Sequence, residues 1–246
     1  MGLSYCIIIP ARYASTRFPG KPLAEIHGKS MIQRVYEAAA SVATHDRVFI
    51  ATDDVRIQNH AEAFAKVIMT RAEHPSGTDR CAEAAQFIQQ DYDIVINLQG
   101  DEPFIKPEQI ELLLSLFDNP QVQIATLKKE LFDADDIDNP NIVKVVCDRN
   151  NKALYFSRSR IPFRRETPEN AEYYKHLGMY AYRKSVLQEI TQLAPSMLEE
   201  TEKLEQLRWL ENGYSIAVGE TQWQSPAVDT PEDLEKAIQF AMESKD

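Results

Sequence analysis

A chain of 246 residues is long enough for one large domain or two small ones, and 43% hydrophobic with 26% charged residues is typical of a folded globular protein. The net charge of -11, from 27 basic and 38 acidic side chains, argues against broad binding to nucleic acid or to an anionic membrane. No run approaches the roughly 20 apolar residues of a membrane span.

Short apolar runs alternate with amphipathic stretches through the first half of the chain. The pattern predicts strands at residues 6–9, 48–51, 67–70, 94–98 and 122–127. It predicts helices between them, at residues 31–42, 57–65, 78–90 and 107–117. Such alternation is typical of parallel strands joined by right-handed helical crossovers, so we expect a doubly wound, mostly parallel α/β sheet.

The rhythm changes after about residue 140. A β-rich segment is predicted by strand-like runs at 142–147, 153–156 and 177–182. Helices and strands then alternate again, with helices predicted at about 198–211 and 231–242 and a strand at 215–218. Since no Gly/Ser-rich linker separates the parts, we predict one domain over residues 1–246 with a β-rich insertion at about 140–184.

The loop after the first strand carries three cations within ten residues. Residues 10–22 read PARYASTRFPGKP, and the cations are Arg12, Arg17 and Lys21. Ligands of α/β sheets bind beyond the carboxyl ends of the strands, where Arg and Lys are suited to phosphate. The segment contains neither a P-loop nor a Gly-x-Gly fingerprint, so its chemistry alone fits a phosphate site and a solvated basic turn equally well.

Nine blocks of sequence, in the same order, resemble the 3-deoxy-manno-octulosonate cytidylyltransferases, also called CMP-KDO synthetases. They are residues 11–22, 51–53, 74–80, 97–103, 143–146, 153–158, 176–178, 204–208 and 228–234. The resemblance implies a nucleotidyltransferase fold of the glycosyltransferase-A type. It also implies transfer of CMP from CTP to 3-deoxy-D-manno-octulosonate (KDO), which gives CMP-KDO and pyrophosphate for lipopolysaccharide biosynthesis.

Two acidic residues are candidate ligands for Mg²⁺. Asp101 follows the apolar run 94–98, where a carboxylate suits this oxygen-binding cation, although an Asp there could also cap the helix at Pro107. Asp229 precedes Thr230 and Pro231, which together are also a favourable helix start. The resemblance implies that both carboxylates bind Mg²⁺.

The resemblance also implies a set of site residues. The catalytic residues are Arg12, Lys21 and Asp101. The nucleotide-binding residues are Ala11, Arg12, Lys21, Ser76, Gly77, Thr78, Arg80 and Gln99. The acceptor-binding residues are Arg17, Gln99, Arg158, His176, Tyr180, Glu205 and Gln206. A basic loop of Arg158, Arg160, Arg164 and Arg165 is what a carboxylate-bearing sugar would require in an acidic protein.

The sequence departs from the family pattern at three positions. Phe18 stands where Leu is usual, Ser30 where Pro is usual, and Ala227 where many relatives have Gly. The short stretch 164–174 does not match closely, which leaves KDO and 8-amino-KDO as alternative acceptors. Three alternative functions stay open: a CMP-sialic acid synthetase, a hexose-phosphate nucleotidyltransferase, and a nucleotide-sensing protein without catalytic activity. Family similarity implies a homodimer, and three widely spaced cysteines are typical of free thiols in the cytoplasm.

Overall fold

The computed structural model describes residues 3–14, 18–166, 171–223, 226 and 228–244. The strands are β1 (Tyr5–Ala11), β2 (Glu25–Ile26), β3 (Lys29–Ser30), β4 (Val48–Thr52), β5 (Lys66–Met69), β6 (Ile94–Asn97), β7 (Ile124–Leu131), β8 (Lys144–Cys147), β9 (Ala153–Ser157), β10 (Tyr173–Arg183) and β11 (Ile216–Glu220). The helices are α1 (Met31–Val42), α2 (Val55–Ala61), α3 (Gly77–Phe87), α4 (Pro107–Ser115), α5 (Ala134–Asp138), α6 (Lys184–Ile190), α7 (Met197–Glu202), α8 (Gln206–Glu211) and α9 (Pro231–Ser244).

The chain divides into two compact units. The first is formed by Met1–Glu111 with Ser225–Asp246, and the second by Leu112–Gln224. The division into one domain with an insertion at about 140–184 stays a prediction.

A parallel sheet is the centre of the first unit. Strand β1 pairs with β4 on one side and β6 on the other, and β4 pairs with β5, all in parallel. Every residue of β4 and β6 is buried, as expected for parallel strands covered on both faces. Because the strands run in one direction, the segments that follow β1, β4 and β6 all begin at the same edge of the sheet.

The family departures at Phe18 and Ser30 both have local partners in this unit. The Ser30 side chain caps α1 by accepting a hydrogen bond from the N–H of Gln33, and its hydroxyl lies 2.7 Å from Nε2 of His60. Phe18 packs against an apolar cluster that includes Met31 and Phe104. Both substitutions are therefore accommodated by the fold, whereas Ala227 lies outside the described residues.

The second unit is richer in antiparallel pairing. Strand β10 pairs antiparallel with β7 and β8, β8 pairs antiparallel with β9, and β11 lies parallel to β7. The register of β10 against β7 shifts between Leu177 and Tyr180, which marks a bulge. The β-rich character predicted for the segment after residue 140 is therefore present in this unit.

The helix predicted over residues 198–211 is wrong as a single element. The structure has two short helices there, α7 and α8, separated at Lys203, whose φ of 55° is left-handed. Lys203 ends α7 as its C-cap, and the next N–H, of Leu204, donates to the Glu199 carbonyl. No glycine or proline marks this break, and the polar residues between Leu198 and Leu204 are all compatible with an exposed helix face. Within the described residues, no helix combines the length and the apolar character needed to cross a membrane.

Candidate active site

The segments that follow the strands of the first unit line a pocket of about 230 Å³. The residues predicted to bind nucleotide that line it are Ala11, Arg12, Lys21, Ser76, Gly77, Arg80 and Gln99. Asp101 and Asp229 line it as well. The structure thus brings together residues that lie far apart in the sequence, through the common carboxyl edge of the parallel strands.

The loop after β1 is shaped by Gly20 and Tyr13. Gly20 has a left-handed φ of 75°, and its N–H donates to the Tyr13 carbonyl at 2.9 Å. A Cβ at Gly20 would lie 3.1 Å from the Tyr13 ring, so glycine permits both the turn and the close approach. Lys21 directly follows this turn. Arg17 lies outside the described residues.

Lys21 joins the two candidate metal ligands. Its Nζ lies 2.8 Å from Oδ2 of Asp101 and 3.2 Å from Oδ1 of Asp229. The Val228 N–H donates to the Asp101 carbonyl at 3.1 Å, which also joins the two acidic segments through the backbone. Two carboxylates that are 80 and 208 positions from Lys21 in the sequence therefore meet at one ammonium group.

Asp229 is held by the start of α9. Its N–H donates to Oδ2 of Asp233 at 3.2 Å, and the N–H of Thr230 donates to the same oxygen at 3.1 Å. The Asp233 N–H donates in turn to Oγ1 of Thr230 at 3.2 Å, a reciprocal arrangement of the capping-box type. Burial opposes ionisation of Asp233, but these hydrogen bonds outweigh it and lower its pKa. Helix-capping and an exposed Asp229 carboxylate thus occur together, as the sequence allowed.

The amino end of α3 forms another wall of the pocket. The Ser76 hydroxyl accepts the N–H of Asp79 at 3.1 Å and so caps the helix. A Cβ at Gly77 would lie 3.2 Å from Cγ of Pro10, so glycine lets the helix approach β1. Thr78, predicted to bind nucleotide, is buried and does not line the pocket.

Arg80 lines the pocket but is 3% exposed. Its Nη2 lies 3.0 Å from Oδ1 of Asp53, and its Nη1 donates to Oγ1 of Thr70 at 2.5 Å. These contacts join α3 to the segments that follow β4 and β5. The guanidinium therefore supports the wall of the pocket whether or not it also contacts a ligand.

His74 was not predicted as a site residue, yet it lines the pocket. Its ring forms a short contact with the Glu83 carboxylate, which also accepts the Arg71 N–H at 2.9 Å. Burial opposes ionisation of Glu83, but the hydrogen bonds from His74 and Arg71 prevail and lower its pKa. His74 could have been predicted, because it begins the family-like block at residues 74–80.

Gly100 was also not predicted, and it too lines the pocket. A Cβ there would lie 3.1 Å from the Pro10 carbonyl oxygen and 3.3 Å from Cδ1 of Ile32. The first of these neighbours is backbone and has little room to move. Glycine at position 100 therefore lets the loop that carries Asp101 lie directly against β1.

The predicted acceptor residue Arg158 belongs to the second unit and is bound to backbone carbonyls. Its Nε donates to the Glu202 carbonyl at 2.8 Å, Nη1 to that of Pro140 at 3.2 Å, and Nη2 to that of Lys203 at 3.5 Å. The Arg158 N–H donates to the Glu202 carboxylate at 2.9 Å. The residue is thus fixed by the polypeptide around it.

A buried lysine also holds the main chain at Arg158. Lys144 is fully buried, and its Nζ donates to the carbonyls of Asn139, Ile142 and Arg158 at 2.8, 2.6 and 2.6 Å. Desolvation lowers the pKa of Lys144. Three carbonyls satisfy the three donors of the ammonium group, which explains how a lysine can be buried here.

His176 and Tyr180 lie on β10, on either side of its bulge, with ring centroids 5.4 Å apart. The Thr126 hydroxyl proton is directed at the carbonyls of Leu177 and Met179, so Nε2 of His176 donates to Oγ1 of Thr126, at 2.9 Å. Desolvation, followed by the charge of Lys175, lowers the pKa of His176 from 6.5 to about 3. His176 is therefore neutral near pH 7, a polar partner rather than a cation.

Tyr180 packs edge-on against Trp209, with ring centroids 5.2 Å apart. Burial, with the charge of Glu205, raises the Tyr180 pKa, which places Glu205 near this ring. No described residue forms a hydrogen bond with the Tyr180 hydroxyl. Gln206 begins α8 and is 6% exposed. Four predicted acceptor residues are thus grouped along β10 and the start of α8.

Comparison with known proteins decides the family. The cytidylyltransferase family model matches residues 6–216. The 3-deoxy-manno-octulosonate cytidylyltransferase of Parabacteroides distasonis is 56% identical over 243 residues, 95% of this chain and 96% of the relative. The enzyme of the same name from Thermodesulfovibrio yellowstonii is 54% identical over 242 residues, 94% and 95% of the two chains. This chain belongs to the 3-deoxy-manno-octulosonate cytidylyltransferase family.

Solved structures agree with that assignment. A CMP:2-keto-3-deoxy-manno-octonic acid synthetase complexed with CTP is 48% identical and has a TM-score of 0.92, covering 98% of this chain and 99% of its own. A 4-diphosphocytidyl-2C-methyl-D-erythritol synthase from Anaerococcus prevotii has a TM-score of 0.66 at 13% identity, covering 98% and 100% of the two chains, so it shares the fold. The predicted α/β nucleotidyltransferase class is confirmed.

The arrangement in this cytidylyltransferase suits nucleotidyl transfer. Arg12 and Lys21 supply positive charge beside the amino end of α3. The carboxylate oxygens of Asp101 and Asp229 both face the Lys21 ammonium group. The described residues contain no cluster of three or more His, Cys, Asp or Glu side chains that could hold a metal. Two carboxylates are what Mg²⁺ usually takes from a protein when phosphates and water complete its shell, so the donor set fits this ion.

Proposed function

We propose that this protein joins CMP from CTP to the anomeric hydroxyl of KDO and so supplies CMP-KDO for lipopolysaccharide biosynthesis. The new bond links the sugar oxygen to the α-phosphorus, the bond from the α-phosphorus to the bridging oxygen breaks, and pyrophosphate leaves. The observation that carries the proposal is the pocket in which Lys21 meets Asp101 and Asp229. A synthetase solved with CTP is 48% identical across 98% of this chain, which supports CTP as the nucleotide.

The pocket residues of the first unit are proposed to hold the nucleotide. Arg12 and Lys21 neutralise the triphosphate, while Ser76, Gly77 and Arg80 form the wall for the ribose and base. Nucleotidyl transfer depends mostly on positioning and charge stabilisation, so no covalent intermediate on the protein is required. Removing one charged contact should cost about 3 kcal/mol, a factor of about a hundred in rate.

Asp101 and Asp229 are proposed to hold Mg²⁺. When bound, the ion supplies neutralisation of phosphate charge and lowers the pKa of the attacking hydroxyl, so that no dedicated base is needed. The protein's part is to keep the two carboxylates together, through the Val228–Asp101 backbone bond and the Asp233 contacts to Asp229.

The acceptor residues are proposed to be Arg17, Gln99, Arg158, His176, Tyr180, Glu205 and Gln206. Since His176 is neutral, the sugar carboxylate must be matched by arginine, and His176 and Tyr180 offer hydrogen bonds to hydroxyl groups. Tyr180 has a buried hydroxyl without a partner among the described residues, which a sugar hydroxyl would satisfy.

The experiment that tests this proposal is a matrix of nucleotides and acceptors. CTP, UTP, GTP and ATP are each paired with KDO, 8-amino-KDO, sialic acid and hexose 1-phosphates, and pyrophosphate release is measured. We expect the highest kcat/KM for CTP with KDO. A preference for any other acceptor would overturn the proposed substrate, and tight CTP binding without turnover for any acceptor would overturn the enzymatic activity.

We further propose that the protein acts as a cytoplasmic homodimer. The three free thiols, Cys6, Cys81 and Cys147, fit a reducing compartment. Light scattering coupled to size-exclusion chromatography should give twice the mass of the 28.1 kDa chain, and a mass of one chain would contradict the dimer.

A further inference from the structure

Lys21 occupies the space between the two carboxylates that are proposed to hold the metal. One ammonium nitrogen lies 2.8 Å from Asp101 Oδ2 and 3.2 Å from Asp229 Oδ1. We propose that Lys21 and a divalent cation occupy this space in turn, so that Lys21 keeps metal out of the nucleotide-free enzyme and releases the site when a triphosphate arrives. This inference rests on the proposed function, because it concerns the same two carboxylates.

Geometry makes the two occupants exclusive. A divalent cation of the Mg²⁺ type lies about 2.1 Å from its oxygen ligands. A cation that bridged the oxygen atoms already bonded to Lys21 would therefore stand within about 4 Å of the ammonium nitrogen. Two positive groups at that separation repel strongly in a partly dry site, where the Lys21 side chain is 13% exposed. The ammonium group must move before the metal can bind.

Lys21 can move because its contacts are replaceable. The Asp101 and Asp229 side chains are 33% and 49% exposed, so both can exchange partners with ions from solvent. Lysine carries its charge on a flexible stem, and Lys21 lines the same pocket as Arg12 and Ser76. Phosphate oxygens in that pocket would offer the ammonium group new anionic partners. The nucleotide and the metal are therefore expected to bind in a coupled manner.

The carboxylates do not depend on Lys21 for their positions. The Asp101 carbonyl accepts the N–H of Val228 at 3.1 Å, and the Asp229 N–H donates to Asp233. These contacts remain when the lysine is removed. The loss of Lys21 should therefore leave two neighbouring carboxylates whose contact with the Lys21 ammonium group is gone, which is a better site for metal rather than a disrupted one.

The test measures Mn²⁺ binding to the full chain without nucleotide, by the loss of the free-ion EPR signal. We expect Lys21→Met to bind Mn²⁺ at least tenfold more tightly than the wild type, and Lys21→Gln to do the same. Arg12→Met is the matched control, since it removes one positive charge from the same pocket, and we expect it to change Mn²⁺ affinity less than threefold. If Lys21→Met binds no more tightly than Arg12→Met, the exclusion of metal by Lys21 is wrong.

A second variant separates this inference from the metal site on which it rests. Asp101→Asn is combined with Lys21→Met, and folding of each variant is checked by circular dichroism. Loss of the tight Mn²⁺ binding in the double variant supports both the proposed metal ligands and the exclusion of metal by Lys21. Tight binding that survives Asp101→Asn would show that the ion lies elsewhere, and would overturn the proposed metal ligands together with the exclusion.

Discussion

The nucleotide pocket of the first unit and the acceptor residues of the second unit are built in different ways. In the pocket, Lys21 is bound to Asp101 and Asp229, which are partly exposed groups that a ligand or ion can replace. In the second unit, Arg158 is bound to three backbone carbonyls and His176 to the Thr126 hydroxyl. One region holds exchangeable charges, and the other holds its side chains through backbone carbonyls and a buried hydroxyl group.

This difference indicates what each region needs. A triphosphate with its metal brings several charges, so its site must hold counter-charges that can be rearranged. A sugar acid is distinguished by the directions of its hydroxyl groups, so its site gains from side chains that are already fixed. We therefore expect substitutions in the pocket to act on rate and metal use, and substitutions in the second unit to act on acceptor affinity and on stability.

The largest effect is expected for Asp101→Asn. This change keeps the size of the side chain but removes one of the two charges that face Lys21. We expect kcat/KM for pyrophosphate release from CTP and KDO to fall at least about a hundredfold, while the unfolding free energy stays nearly unchanged. Asp118→Asn, at an exposed aspartate, is the control and should retain full activity. Near-normal activity in Asp101→Asn would remove this carboxylate from the mechanism.

His176 should make the protein sensitive to acid. Its pKa falls from 6.5 to about 3 on folding, so its contribution to stability is complete above pH 6.5 and is lost as the pH falls toward 3. Between pH 7 and pH 5 this loss amounts to about 2 kcal/mol, because the unfolded chain binds the proton and the folded one does not.

Urea unfolding of the wild type and of His176→Gln, at both pH values, isolates this contribution. The other titrating groups are common to the two proteins, so their effects cancel in the difference. The wild type should lose about 2 kcal/mol more than the variant. Equal losses would mean that folding does not lower the pKa of His176, and that the ring is protonated in the folded protein at pH 5.

Arg158→Lys should weaken acceptor binding. Lysine cannot reproduce the guanidinium fork that reaches the carbonyls of Pro140, Glu202 and Lys203. We expect the KM for KDO to rise about tenfold, equivalent to about 1.4 kcal/mol, with the KM for CTP unchanged within a factor of about two.

Arg183→Lys is the matched control in the same unit. Arg183 likewise donates to backbone carbonyls, at 2.9 Å to Val122 and 3.3 Å to Pro120, but it is not among the predicted site residues. It should lower stability and leave both KM values unchanged. If the two variants had the same kinetic effect, Arg158 would be a structural residue with no part in acceptor recognition.

The sequence predicted the first unit better than the second, for physical reasons. Strands β4 and β6 are buried throughout and apolar up to their last residues, Thr52 and Asn97. Helix α1 was predicted at its observed limits from its periodic apolar face, and Ser30 caps it. Parallel strands bring their carboxyl ends to one edge, so the gathering of Arg12, Lys21 and Asp101 followed from topology.

The second unit depends on contacts that leave no local pattern. The left-handed Lys203 ends α7 without a glycine or proline. The bulge in β10 is the exception, because it contains Gly178, and a glycine inside a strand often marks a bulge. The carbonyls around Lys144 come from Asn139 and Ile142 just before it and from Arg158 after β9, so neither its burial nor its support of Arg158 was predictable. The roles of Asp101, His176 and Arg158 are predictions that substitution of each residue tests.

The smallest effect is expected for Arg56→Ala, which tests whether the pocket loop also needs fixed support. The Arg56 guanidinium lies 3.3 Å from the centroid of the Tyr13 ring, and Tyr13 packs against Gly20, directly before Lys21. Arg56 is in turn held by Asp54, with Nη2 to Oδ2 at 2.6 Å. The Arg56 side chain is 56% exposed, so the stacking should contribute only about 0.5–1 kcal/mol.

We therefore expect Arg56→Ala to raise the KM for CTP by a factor of about two to five, with kcat retained. Arg47→Ala is the control, because Arg47 lies over the Tyr5 ring at 5.7 Å in the same unit but away from the pocket loop. Arg47→Ala should leave kcat and the KM for CTP unchanged. If Arg56→Ala also leaves the KM for CTP unchanged, the loop tolerates the loss of its outer support. The nucleotide pocket would then depend on fixed contacts even less, and the acceptor region would differ from it more.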